Sequence, residues 1–261
     1  MKKYWMIAKL GFQQDLSYRT NFFLFFLRQT AQLLIQILFW AIVFRQKNGD
    51  IFGYDFAQTV RYFIFIEGIN LLVVNGVDFD LAEAIKSGSL SGALMRPLSV
   101  FWAYLVKIIG QKLWWLIYLV VVLAGLLLFG VIHFSLGSWL WLPVVVFNAF
   151  LILFLYRFLL GMLAFWLTST SSVLHLFNQP TQFLGGGWFP LAFLPNWLSG
   201  VLKLLPFYLL FGFPAELSQG SLSASLILTN IGKQFFWIVL LFFLVAWVWS
   251  RGVKQYEAVG N

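Results

Sequence analysis

Few residues in this sequence have the chemistry to act, and they are widely spread. Arg28, Arg61 and Glu67 fall inside or beside long apolar stretches. An ionisable side chain at membrane depth is costly and is a functional candidate by default. Arg28 and Arg61 have long stems that can snorkel to an interface or pair with a carboxylate across helices. Glu67 lies about eight residues into its apolar run, too deep to snorkel easily. Pairing or a polar cavity is expected there, and a carboxyl so placed can carry a proton. Asp78 and Asp80 can be read as paired carboxylates or a cation site, but helix capping also accounts for them. Lys86-Ser87 is the one Lys followed by Ser or Thr, and no phosphate-cradling glycine loop precedes it. Neither HExxH nor Gly-x-Ser-x-Gly occurs, Cys is absent, and the only histidines are His133 and His175. Those facts leave no catalytic set, no cofactor site and no metal site to assign to this chain.

The chain around these residues is 61% hydrophobic, 20% aromatic and only 10% charged over 261 residues. A soluble domain runs at about 45–50% apolar and about 25% charged, so this chain is expected in a membrane. Long unbroken apolar runs favour helices over a barrel, whose strands would alternate with period two. The net charge of +8 comes from basic residues scattered singly between apolar runs. Topology and anionic lipid explain that pattern better than nucleic acid does. The first apolar run lacks a small-residue cleavage site, so no removable signal peptide is expected.

A helix needs roughly 20 residues to cross the hydrocarbon. Leu113–Ile132 is the clearest such run, followed by Leu140–Tyr156, Gln234–Ser250 and Gln29–Phe44. Thr59–Val74 is interrupted by Arg61 and Glu67, and Ser171–Trp188 carries Pro180 and Gly185-Gly186-Gly187, which should bend it. The expected fold is therefore an all-α polytopic membrane protein with six transmembrane helices in one domain, residues 1–261. With both termini cytoplasmic, eleven Lys and Arg fall inside, five outside, and Arg28 within a span. That bias sets the expected orientation.

Three segments outside the spans carry information. In residues 1–20, Trp5, Ala8, Phe12 and Leu16 recur at helical spacing among charged residues. That suits a helix lying in the cytoplasmic headgroup layer, the alternative being a frayed polar tail. In the cytoplasmic stretch 78–98, Asp80 can cap a short helix with Glu83 three residues on. Leu81, Ala84 and Ile85 share a face, Lys86 suits the C-terminal dipole, and Gly88 can supply a left-handed stop. Such a helix is either a docking knob or a plain connector. The third, 189–217, holds Pro190, Pro195, Pro206 and Pro214, with Trp197 near its start. Half-length helices dipping in from the outside and buried against protein would fit, as would a loop lying flat on the outer interface.

Ala84-Ile-Lys-Ser-Gly-Ser-Leu-Ser-Gly-Ala-Leu-Met-Arg96-Pro97-Leu-Ser99 resembles the stretch after the second span in permeases of the ABC-2 transporter family. The run Trp188–Pro195 with Pro206-Phe207-Tyr208 is similar to that family's segment between spans five and six. The resemblance implies an inner-membrane permease subunit, not itself an enzyme. It would pair with a second permease, identical or homologous. Each half would be driven by a cytoplasmic ABC ATPase, where ATP and Mg are used. It further implies export, a coupling helix at 80–87, an interfacial helix at the N-terminus and re-entrant half-helices at 189–217. The apolar, aromatic-rich interior would suit an amphipathic, lipid-like or hydrophobic cationic substrate. The competing reading is a secondary transporter driven by an ion gradient through Glu67.

Overall fold

The computed structural model describes residues 2–17, 19–47, 50–128, 130, 136–220 and 222–259. Its named elements are all helical. They are α1 (Lys2–Ser17), α2 (Arg19–Lys47), α3 (Phe56–Val73), α4 (Val77–Lys86), α5 (Leu90–Leu94), α6 (Val100–Leu128) and α7 (Leu136–Trp139). Then follow α8 (Leu142–Gly161), α9 (Ser171–Leu184), α10 (Asn196–Leu202), α11 (Pro206–Leu210), α12 (Gly212–Ser218) and α13 (Ala224–Val259). Two 3-10 turns, Met162–Phe165 and Leu191–Phe193, extend α8 and precede α10. In hydrocarbon every backbone N–H and C=O must be satisfied within the chain, and a helix does this locally. Where α3 begins, side chains complete the job: Asp55 accepts from the Gln58 N–H at 2.6 Å and Gln58 Oε1 accepts from the Asp55 N–H at 3.0 Å.

Among the described residues, five helical stretches are long and apolar enough to cross a membrane, against the six expected. Ser171–Trp188 is the one that falls short. Its helix, α9, has 14 residues, a rise of about 21 Å against the roughly 30 Å of hydrocarbon. Pro180 lies inside it, and Asn178 and Thr181 are buried along it. The third expected span also changes shape. Its helix begins at Val100, so Lys107 and Lys112 ride on α6 and not in a connector before it. The other end of that expected span, Val131 and Ile132, and His133 beside it, lie outside the described residues.

The centre of the bundle is α3, α4, α8, α11 and α12, whose apolar residues join one buried cluster around Tyr62, Phe154, Phe158 and Phe211. α13 lines one side of it and, at 36 residues, runs about 54 Å, well beyond the hydrocarbon. α1 lies against α6 through small residues. A Cβ on Gly110 would come within 2.1 Å of the Ala8 carbonyl, so the two backbones are nearly touching. The expected stripe of Trp5, Ala8, Phe12 and Leu16 is thereby split: Phe12 meets Trp114 edge-on at 6.3 Å, while Trp5 stands 73% exposed.

Candidate functional site

The segment between α3 and α6 is the first candidate. α3 ends at a short break, Val74-Asn75-Gly76, where Asn75 donates to the Val73 carbonyl at 3.2 Å and accepts from the Val77 N–H at 3.4 Å. α4 then starts at Val77, three residues earlier than the expected cap at Asp80. Gly76 occupies the cap position and has no side chain to cap with, so the Asn75 side chain before it serves the first amide of the helix. Asp80 is inside the helix, where its carboxylate pairs with Lys107 on α6 at 3.0 Å, and the Asp80–Glu83 capping box is not formed. The stop is as expected: Gly88 takes φ +77° after the last turn, a conformation that glycine adopts at little cost. Leu81 and Ile85 share a face with Ala82 and are buried against α8 and the turn Met162–Phe165. The chain itself covers that face, so it offers no groove-filling surface to a partner. Ala84 is half-buried, while Glu83, Lys86, Ser87 and Gly88 form an exposed rim, continued by Arg96 and Pro97 after α5. Ser91 and Tyr256 share a hydrogen bond of 2.9 Å, tying α5 to the end of α13.

Asp78, one turn before Leu81, is fully buried and accepts a hydrogen bond from the Asn178 amide on α9. Arg157 on α8 acts on it electrostatically. Asp78 Oδ1, Asn178 Oδ1 and Arg157 Nε are buried without partners. This junction of α4, α8 and α9 had no local signal, because its members are about 20 to 100 residues apart.

Glu67 lies where α2, α3 and α6 meet, 7% exposed. Gln29 on α2 donates to its Oε2, Asn70 one turn on also hydrogen-bonds the carboxyl, and Oε1 is buried with no donor in good bonding geometry. Arg28, beside Gln29, is exposed and acts on Glu67 electrostatically. Arg61 does not join them: six residues along a helix put it about 9 Å away in rise and on another side of α3. One turn beyond Glu67, Asn70 accepts from Gln182 on α9 at 3.0 Å.

The segment 189–217 is folded into the bundle. Pro190 and Pro206 are buried, Pro195 and Trp197 exposed. Pro206 opens α11, the chain turns sharply at Phe211, and α12 packs on α3 and α8. Here Glu216 is buried and accepts from the Tyr208 hydroxyl at 2.7 Å. Burial pushes its carboxyl up, against the opposing pull of Lys203 and that hydrogen bond. Tyr62 donates to the Gly186 carbonyl at 2.6 Å beside it, and burial with the Glu216 charge raises Tyr54 and Tyr208. Glu216 escaped the sequence reading because its short apolar neighbourhood lacks the periodicity of a span.

Among the described residues no group of three His, Cys, Asp or Glu is arranged to hold a metal. A family model described as ABC-2 family transporter protein matches residues 30–260. No curated protein matches the chain.

Proposed function

The chain belongs to the ABC-2 transporter family, whose members are membrane permeases of ABC transporters and not enzymes themselves, and on that premise we propose how it works. It is the transmembrane subunit of an exporter, paired with a second permease and driven by a cytoplasmic ATPase that binds ATP and Mg. Its cargo is amphipathic or hydrophobic. Both termini are cytoplasmic in the inner membrane, α9 is a short, bent sixth crossing, and the separate segment 189–217 with α10–α12 holds re-entrant half-helices that close the outer end. α1 is the interfacial helix.

The observation that carries the reading is the seating of α4. Its apolar face is anchored in the core through Leu81 and Ile85, while Glu83, Lys86 and Ser87 stand out as a rigid rim. The rim, and not the apolar face, is the ATPase-coupling surface. Gentle purification of the tagged chain should bring an ATPase and a second permease with it. Glu83→Lys with Lys86→Glu should weaken the ATPase contact while leaving the chain folded. Recovery of the chain alone, with transport intact in liposomes that lack any ATPase, would refute the reading. The buried Glu67 carboxyl favours one competitor, a gradient-driven carrier in which Glu67 takes a proton. Uptake driven by a pH gradient without ATP would decide for it.

A further inference from the structure

Glu67 borders a cavity that adjoins a larger one. About 120 Å³ lies between α2, α3 and α6, walled by Glu67, Gln29, Trp115 and Tyr118. A groove of about 460 Å³ lies between α3, α6 and α8, and among the described residues Lys112 is the one charged residue on its otherwise apolar wall. Lys112 donates to the Leu71 and Val74 carbonyls at the end of α3. The larger volume falls within the roughly 300–1,000 Å³ of ligand clefts. Ile64, Gly68, Leu119 and Leu123 line both spaces. The partition is thin: a Cβ on Gly68 would meet Leu119 Cδ1 at 2.8 Å, so a single Leu side chain rests there on bare backbone. Leu116, Val120 and Phe147, at 45%, 58% and 52% exposure, leave the groove open sideways to the bilayer.

The two lobes ask for different chemistry. A buried carboxylate held by the neutral amides of Gln29 and Asn70, with Arg28 acting on it electrostatically, is still expensive to keep, and a positive group beside it would lower that cost. The faces of Trp and Tyr attract the same kind of charge. The large lobe offers almost nothing but hydrocarbon contact. We propose that the pair of cavities binds a single-chain cationic amphiphile. Its ammonium group lies against Glu67 Oε1 in the small lobe, and its alkyl chain passes Leu119 into the apolar groove. Arg28 opposes the ammonium as a like charge and tunes the affinity downward. As a cargo site this rests on the transport reading above; as a binding site it does not.

The test is equilibrium dialysis of radiolabelled dodecylammonium, the protonated primary amine, against the purified full chain in nanodiscs of uncharged lipid. Glu67→Gln should weaken binding at least about tenfold, the loss expected for a charge-assisted contact. Glu67→Asp should keep part of the affinity, and Arg28→Gln should tighten binding. Leu119→Trp keeps the carboxylate but plugs the partition, and it should also weaken binding. Dodecanol, which has the chain without the charge, should compete poorly. Wild-type affinity in both Glu67→Gln and Leu119→Trp, or dodecanol competing as well as the ammonium, would overturn the proposal. If Glu67→Gln runs as an aggregate on size exclusion, Leu119→Trp and the dodecanol competition decide. Binding without ATP-driven transport of the same amphiphile in proteoliposomes containing the ATPase would overturn its role as cargo and leave the site standing.

Discussion

Replacing Asp78 by Asn should destabilise the chain far more than its size change suggests, and replacing Arg157 as well should cost clearly less than the sum of the two single losses. Asp78 is wholly buried, holds the Asn178 amide, and faces the Arg157 charge across the junction of α4, α8 and α9. Asn keeps a hydrogen-bonding group for Asn178 but removes the charge. Arg157, whose Nε is already without a partner, is then left uncompensated. Leaving a buried polar or charged group uncompensated costs about 1–3 kcal/mol, and more for a charged one. A loss of about 3 kcal/mol lowers the midpoint of a chain this size by about 6–12 °C. Arg157→Gln should cost a similar amount for the converse reason. In Asp78→Asn/Arg157→Gln neither charge remains, and the pair should show a coupling of about 1–3 kcal/mol. Thermal unfolding in mild detergent, followed by tryptophan fluorescence, measures all four corners of the cycle. If the single losses add to within about 0.5 kcal/mol, Asp78 and Arg157 do not share a charge interaction, and the junction is held by Asn178 alone.

Leu81→Ala and Ile85→Ala should each cost about 2–5 kcal/mol, read as a lowered unfolding midpoint with the ATPase still bound. Loss of ATPase binding at wild-type stability would show that the apolar face docks outward after all. Gly110→Val places carbon against the Ala8 carbonyl, so disulfide cross-linking between Cys introduced in α1 and α6 of this Cys-free chain should fall sharply; unchanged cross-linking would show that α1 rests elsewhere. Glu216 is pushed up by burial, so its folded form holds a proton more tightly than the unfolded chain does. The stability it contributes is complete below the ordinary Glu range of about 4.3 and is lost as pH rises through the raised folded value. Glu216→Gln should flatten that decline, and a wild-type midpoint indifferent to pH across this range would contradict it. Cys at position 88 should be labelled only after the membrane is opened, and Cys at 199 in intact cells; the reverse pattern inverts the topology.

What could be read in advance was what is local. Leu140–Tyr156 nearly coincides with α8 because an unbroken apolar run leaves a helix few alternatives. Gly88 after Lys86 was legible as a stop because only a left-handed residue ends the turn there. The same local reasoning misplaced the start of α4: Asp80 is a good cap, but Gly76 breaks the chain first and Val77 can already be helical. The periodicity of Leu81 and Ile85 identified a buried face without naming what buries it, since α8 lies more than 55 residues further on. Ser171–Trp188 reads as a bent span whose interruptions are Pro180 and Gly185-Gly186-Gly187, and nothing local marks Asn178, Thr181 and Gln182. They are the face that α9 turns toward Asp78 and Asn70. Glu67 was suspected from depth alone. Its partner Gln29 could not be, because an amide in an apolar run has many possible neighbours.

The anchoring of α4 decides where the molecule can yield. A load on the rim at Lys86 passes directly into α8, because Leu81, Ala82 and Ile85 bond the short helix to it along its length. In the most apolar windows of α3–α4 and α8, 61% of the residues are buried, against none in that of α2 and 11% in that of α6. Stiffness is therefore concentrated at the centre and compliance at the rim, where α2 and the α1–α6 pair touch mainly the surrounding fluid. If the ATPase couples through the rim, the stroke would be set by how far a solid block tilts in a viscous collar, not by how far a ten-residue helix bends. Its speed should follow the viscosity of the bilayer.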